Sequence, residues 1–356
     1  MKKISALILV LLLAAAVMTM AAAENDATVR IGVLTMLNAS EADYSEMIES
    51  RNVVTRVLAR EGYVSFPSQM EQALDGNHQR KIRYYDSLDS MMMACNTGDI
   101  TSMDVLQSVG KYICANNDEF VMGIEFDTSK ERTQFVERVM SGPIRGDLSF
   151  LMMQDHEELR NEFNEAIAAM KEDGMLDRLV KEQIENVISG GEIAPVQMEK
   201  IEGAPTLTVA VTGCLPPIDY VDAGGNAAGF NTAVLAEIGK RTGKNIQVLV
   251  VDSLGRAAAL ASGAVDVVFW TRGNKSAAKA SVMSEEELKK QTESFMAITP
   301  ESEQKAMNEY FNVFGKKLMK LLHTGDQPEG TVVTESYFSD FYVPVFTKST
   351  LAQMEK

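Results

Sequence analysis

Side chains that build metal centres and disulfide frameworks are scarce in this chain: 356 residues hold three cysteines and three histidines. The spacing of Cys95, Cys114 and Cys214 suits neither a zinc site nor a disulfide framework. Cys95 and Cys114 read as core residues of helices, with a single Cys95–Cys114 bridge as the alternative in an oxidising compartment. His78, His156 and His323 are scattered among polar neighbours and form no metal-binding or catalytic pattern, so no metal and no cofactor is expected. Tryptophan occurs once, as Trp270. Basic residues are outnumbered, 34 Lys and Arg against 50 Asp and Glu, giving a formal net charge of -16 and a pI near 4.8. Such an excess excludes nucleic acid and anionic membrane surfaces as expected partners. Beyond the N-terminus no apolar run is long enough to span a bilayer. What remains is 46% hydrophobic, enough for a substantial core, and the length makes two domains the natural prior.

Residues 1–23 read as a secretory signal peptide. Lys2 and Lys3 supply the positive start, Ile4 to Met20 the apolar core, and Ala21-Ala22-Ala23 the small residues before a cut ahead of Glu24. An uncleaved N-terminal anchor is the alternative. The core has no cysteine at its end, so a lipid anchor is not expected. Secretion across the cytoplasmic membrane, to the periplasm or cell surface, follows.

Residues 207–270 are the most informative stretch. A short apolar run (Leu207 to Val211) closes at Thr212-Gly213. Turns follow at Pro216-Pro217 and at Asp222 to Asn226. Gly229-Phe230-Asn231 then opens an amphipathic helix. A strand (Ile246 to Val251), a helix, Gly263 and a buried-looking strand ending in Val-Val-Phe-Trp270 complete a unit that belongs to a parallel sheet flanked by helices. In the first half, strands are expected at Thr28 to Val33, Lys81 to Tyr85, Asp99 to Met103 and Leu148 to Met153, with a strand-like run at Phe120 to Phe126. Helices are expected at Ser45 to Arg60, Leu88 to Asn96 and Ser108 to Asn116, and over Glu157 to Ile188 with a break near Asp173-Gly174. Gly62 to Gln79 reads as a polar, turn-rich excursion, and residues 189–205 as a linker. An Asp-Ser helix start recurs after two strands, at Tyr85-Asp86-Ser87-Leu88 and Val251-Asp252-Ser253-Leu254, each followed by a closing glycine. Residues 273–330 form an insert with amphipathic helices at Glu285 to Phe295 and Glu301 to Leu322. It reads as a solvated excursion packing on its own lobe, with a docking surface for a membrane partner as the alternative.

The stretch 207–270 resembles the first lobe of the type 2 periplasmic solute-binding proteins, family 3, the extracytoplasmic receptors of ABC importers for amino acids and related solutes. Lys81 to Phe120 looks like that family's second lobe, and Leu148 to Ile184 like its return strand and terminal helices. Glu329 to Ser349 (EGTVVTESYFSDFYVPVFTKS) looks like its crossing strand. The resemblance implies an α/β fold, a two-lobed clamshell in which each lobe is a mostly parallel sheet flanked by helices. The order is rotated. Residues 28–145 correspond to lobe two, 148–188 to the return strand and helices, 206–350 to lobe one with the insert, and 336–349 to the crossing strand. A circular permutation is the reading, with a pair of fused degenerate receptors as the competitor.

In this fold the ligand lies between the lobes, at the C-terminal ends of strands and the N-termini of helices. That geometry selects Cys214, Ile218, Asp219, Phe230, Asn231, Trp270, Thr271 and Arg272 in one lobe. In the other it selects Thr35, Met36, Asn38 and Asp104. Trp270 is either a stacking platform or core, and Arg272 either a carboxylate partner or a surface cation. Asp104 either receives an ammonium or caps a helix, Asp219 either meets ligand or braces its turn, and Phe230 faces either cleft or core. The family's amino-acid clamp is not intact. Its arginine position falls in Ser276 to Lys279, its acidic residue near Leu106, and its Gly-Thr-Thr loop at Leu34 to Asn38. The resemblance therefore implies a non-enzymatic, monomeric receptor for a small polar solute, partnered by a membrane permease of an ABC importer. A sensor or scavenger on the same fold is the alternative. A secreted cyclohexadienyl-dehydratase-like enzyme is disfavoured, because no Glu or His falls at the expected strand ends.

Overall fold

The computed structural model describes residues 28–34, 41–75, 79–191, 196–252, 255–270, 284–324 and 329–354. The expected signal peptide lies outside them. The first lobe opens with β1 (Val29–Leu34), α1 (Glu41–Arg60), β2 (Val64–Ser65), α2 (Ser68–Asp75), β3 (Arg80–Tyr85) and α3 (Leu88–Asn96). It continues with β4 (Ser102–Leu106), α4 (Gln107–Asn116), β5 (Phe120–Met122), β6 (Glu125–Phe126) and α5 (Gln134–Met140). The long strand β7 (Arg145–Met153) then leaves it, followed by α6 (Glu157–Glu172) and α7 (Met175–Val180), which runs on helically to Ile188 through one wide turn at Lys181–Glu185. The second lobe carries β8 (Thr206–Val211), β9 (Cys214–Leu215), β10 (Asp219–Val221), β11 (Ala227–Ala228), α8 (Phe230–Thr242), β12 (Asn245–Val250), α9 (Gly255–Ala261) and β13 (Val267–Trp270). The insert supplies α10 (Glu285–Met296) and α11 (Gln304–Thr324), and the chain closes with β14 (Thr331–Val333), β15 (Phe338–Thr347) and α12 (Lys348–Gln353).

The two lobes share one sheet plan. The first runs β3-β1-β4-β15-β5 and the second β12-β8-β13-β7-β14. In each, three strands are parallel at the centre and one is antiparallel, and that antiparallel strand comes from the other half of the chain. β15 pairs with β4 from Leu106↔Tyr342 to Met103↔Val345, and β7 with β13 from Leu151↔Val268 to Ser149↔Trp270. Between the lobes β15 and β7 pair with each other, from Phe338↔Leu148 to Phe341↔Arg145. The fold is thus the two-lobed α/β clamshell that the resemblance implied.

Local chemistry explains the boundaries. Ser87 caps α3 by accepting from Ser90 N at 3.3 Å, and Thr133 caps α5 by accepting from Val136 N at 3.2 Å. The α5 helix was not read from the sequence, and the excursion at 62–79 contains β2 and α2. Strand β4 starts later than the expected Asp99. The amides of Asp99 and Ile100 turn back onto Ala94 O at 2.9 and 3.3 Å, so the chain first meets β1 at Thr101, whose N–H reaches Arg30 O at 2.7 Å. The long helical stretch breaks at Gly174, where φ is +73°.

The insert departs from expectation. It packs on the first lobe, with α11 lying along α1. Met307 and Tyr310 of α11 are buried there, and Phe295 of α10 meets Phe135 of α5 edge to face at 5.9 Å. Glu303, buried, accepts from Arg60 Nη1 at 3.1 Å. The apolar stripe of these helices needs a partner, and α1 and α5 supply one.

The core runs through the strands. Phe150 of β7 is fully buried, stacked on Tyr337 at 4.8 Å and edge-on to Phe163 of α6 at 5.6 Å. A Phe150→Ala change removes this aromatic centre at the point where β7, the β14–β15 connection and α6 meet. We expect a loss of about 3–5 kcal/mol of folding stability. Urea unfolding followed by circular dichroism measures it, and a loss under about 1 kcal/mol would contradict the packing described.

Candidate functional site: the seam between the lobes

In the second lobe β8 ends at Val211, and the Thr212-Gly213 turn leads into a small antiparallel meander, β11-β10-β9. Asp219, fully buried at the start of β10, holds that turn. Its Oδ2 accepts from Thr212 N at 2.7 Å and Thr212 Oγ1 at 2.9 Å, and its Oδ1 from Gly213 N at 3.2 Å. Burial raises its pKa, against the pull of those donors and of the Arg256 charge. A cis peptide joins Pro216 and Pro217. Gly229, at φ +95°, lies where a Cβ would come within 2.7 Å of Pro217 O and 2.8 Å of Ile218 O. Only glycine lets α8 start this close to the Pro-Pro loop. The next two amides, of Phe230 and Asn231, reach those same carbonyl oxygens at 3.2 and 2.8 Å.

Asn231 Oδ1 accepts from Tyr337 Oη at 2.7 Å, tying α8 to the β14–β15 connection. Burial, and then the Asp219 charge, push the Tyr337 phenol well above its ordinary pKa. Arg256, in the first turn of α9, is 1% exposed and donates from Nη1 to Phe269 O at 2.5 Å. The seam itself forms where Cys214 meets the first lobe. Its Sγ lies 3.7 Å from Asp86 O, just before the capped start of α3. Burial raises the thiol's pKa.

The residues selected from the sequence divide as follows. Cys214, Ile218, Asp219, Phe230 and Asn231 gather around this one turn and helix start. Ile218 and Phe230 are fully buried, and Phe230 packs against Phe338 at 5.0 Å between ring centroids, so both are core. Asp219 braces its turn. Trp270 ends β13 opposite Ser149 and is 7% exposed, in a small core with Leu151, Leu260 and Val333. Asp104 is not at the seam. It pairs with Arg51 Nη1 at 2.6 Å and accepts from Tyr44, beneath α1. Thr35, Met36, Asn38, Thr271 and Arg272 lie outside the described residues. The three cysteines are free, which leaves Cys95 and Cys114 as core thiols, their pKa values pushed up to about 11 by burial.

Two seam residues escaped the sequence reading. Arg256 sits inside an alanine-rich helix, where a charged residue signals a surface face. Tyr337 falls within the expected crossing strand, 336–349, and is not singled out by the sequence. The one clue was spacing: Asp252 precedes Gly255, whose N–H it caps at 2.6 Å, so Arg256 falls at a helix start beside a strand end.

Residues 207–318 match the family of bacterial extracellular solute-binding proteins, family 3. The match places that segment, and not the whole chain, in the family. The matched segment is less than half of the chain and includes the Thr212 turn, the Gly229 helix start, α10 and α11 as far as residue 318. No curated protein matches the chain by sequence. Similar solved structures include the ligand-binding component of an ABC-type import system from Staphylococcus aureus, with zinc bound, at 8% identity and TM-score 0.36, covering 92% of this chain and 68% of that one. Another is the periplasmic aliphatic sulphonate-binding protein of Escherichia coli, at 10% identity and TM-score 0.31, of whose length this chain spans 63% against 92% of its own. A third is a ligand-binding core from Nostoc punctiforme in complex with L-glutamate, at 10% identity and TM-score 0.30, covering 92% and 90%.

Asp219→Asn tests the brace. An amide keeps one acceptor and turns a donor toward the turn's N–H groups, so a loss of about 1–3 kcal/mol is expected. The wild-type pKa lies above its unfolded value. Its titration therefore adds stability that is complete below the unfolded pKa and is lost as pH rises through the folded one. The D219N deficit should accordingly be larger near about pH 4 than near about pH 7. Urea midpoints at both pH values check this, and the reverse order contradicts it.

Proposed function

We propose that the protein is the extracytoplasmic solute-binding receptor of an ABC-type importer, capturing a small polar solute between its lobes. The observation that carries the reading is the pair of crossing strands. β7 and β15 are the route between lobes, they pair with each other, and each is built into the sheet on the far side. Two crossing strands at the base of a cleft are the geometry of a hinge. Closure follows solute binding only if the solute contacts the closed state better than the open one. The contact of Cys214 with the Asp86 carbonyl supports a closed arrangement, since residues of opposite lobes meet there.

We also read the chain as a circular permutation of the family order. Two observations support this. The helices α6 and α7, which correspond to the family's last segment, pack on α8 of the lobe that the family match covers. The segment after that lobe, β15, enters the first lobe and pairs with β4 and β5 there. A chain whose old termini lie near each other tolerates such a rotation. The expected export of the chain fits a receptor of this kind.

Cys214 offers the test. In a Cys95→Ala, Cys114→Ala background only Cys214 reacts with maleimide. A cognate solute should slow that reaction severalfold, and at about a hundred times its dissociation constant it should stabilise the fold by about 2.7 kcal/mol. A thermal-shift screen of amino acids, small peptides, polyamines and aromatic acids selects the solute. Stabilisation without slower labelling argues against closure at this seam. No stabilisation by any of these solutes in folded protein argues against the receptor reading for them.

A further inference from the structure

A cavity of about 630 Å³ lies within the first lobe, between the sheet and helices α1, α2 and α12. It opens toward the N-terminal ends of β1, β3 and β4, the ends opposite the seam. Its origin is visible in the lobe plan. The strand that crosses into the second lobe is followed by helices covering 157–188, whereas β15 is followed by α12, six residues long. The described residues leave the sheet face under α1 only partly covered.

The lining has two characters. Ile31, Met70 and Phe346 are buried apolar walls, with half-buried Met354 beside them. The polar side is built from charged groups held below the surface. Arg51 and Asp104 form an ion pair at 2.6 Å, with side chains 7% and 9% exposed, and the Arg51 guanidinium lies 4.3 Å from the Tyr342 ring centroid. Arg80 has a side chain 6% exposed, and among the described residues its one hydrogen bond is from Nη1 to Glu49 at 3.0 Å. Its remaining N–H donors are left to whatever fills the cavity. The Thr28 hydroxyl is buried and has no partner among the described residues. Each guanidinium already has one carboxylate partner, Arg51 with Asp104 and Arg80 with Glu49, so the wall offers unused N–H donors rather than net charge. The volume falls in the range of small-molecule sites, about 300–1,000 Å³.

We propose that this cavity is a second binding site, for a small carboxylic acid with an apolar body, separate from the inter-lobe cleft. The carboxylate meets the unused donors of Arg80 and the Thr28 hydroxyl, and the body lies among Ile31, Met70 and Phe346. An acid suits the site because a guanidinium fork matches a carboxylate in two parallel hydrogen bonds, whereas an alcohol takes one. The site does not depend on the receptor reading, since none of its walls belongs to the second lobe.

The probes are octanoate and, as the neutral control, octan-1-ol, added to the full chain with methionine methyl groups labelled for NMR. Octanoate should shift the Met70 and Met354 methyl resonances saturably and leave the emission of Trp270, in the other lobe, unchanged. Arg80→Gln should weaken octanoate by about tenfold while leaving octanol as it was, and Arg80→Lys should fall between. Absence of saturable shifts, or equal weakening of acid and alcohol by R80Q, overturns the proposal. A Trp270 response without Met70 shifts also overturns it, by placing the acid in the cleft. Should R80Q not fold, Thr28→Val is the second variant, expected to weaken octanoate and overturning the proposal if it does not.

Discussion

Everything in this fold depends on the exchange of two strands. β7 and β15 are each the antiparallel member of a sheet whose other strands come from the opposite half of the chain. Neither lobe can satisfy the backbone of β13 or β4 without that borrowed strand, and unmade buried hydrogen bonds are costly. The lobes are for this reason not independent folding units, although each has its own sheet and helices. The same exchange explains why a rotated chain order is physically acceptable. The sheet plan asks that a strand cross in each direction, and it is indifferent to which crossing comes first.

The insert adds a second tie, and it limits how the lobes can move. It leaves the second lobe after β13 and returns to it at β14, yet α10 and α11 bury their apolar faces on α1 and α5 of the first. Phe295, Met307 and Tyr310 are continuous with the main core there. A hinge rotation must either carry these helices with the first lobe or break that packing. Burial of three such side chains is worth several kcal/mol, at about 1.5–3 kcal/mol each. Movement as part of the first lobe is the cheaper course. On the hinge reading proposed above, the moving parts would be the first lobe with its strap and the second lobe with α6 to α9.

Much of this was legible because period and punctuation agreed. The runs at 207–211 and 267–270 are continuous and apolar, as strands buried on both faces must be. Gly174 broke a helix where a left-handed residue was needed, and the Ser87 cap marked the start of α3. Partnership was not legible. The apolar face of α11 shows in the sequence, but nothing local says that α1 will receive it. Asp104 illustrates the same limit. It lies close to the end of a parallel strand, the position from which ligands are usually met. One residue's alternation decides which face of the sheet it serves, and here it turns toward Arg51 and Tyr44. A stretch such as Gly255 to Ala261 hides Arg256 for the opposite reason, since alanine-rich helices more often face water than bury a guanidinium.

The seam's polar groups share one property that bears on how a solute would be read. Asp219, Asn231 and Arg256 are each committed to the protein itself: to the Thr212 turn, to Tyr337 and to the Phe269 carbonyl. Groups so engaged do not swing out to a ligand without losing bonds made in a low-dielectric interior. Their effect is instead to hold the backbone at Thr212, Gly213 and Cys214 in one shape against the start of α3. On the receptor reading proposed above, recognition at this lobe end would fall to backbone groups and to the side chains that line the cleft around that fixed turn. A rigid turn costs a solute little ordering entropy on capture, which favours affinity without many direct contacts.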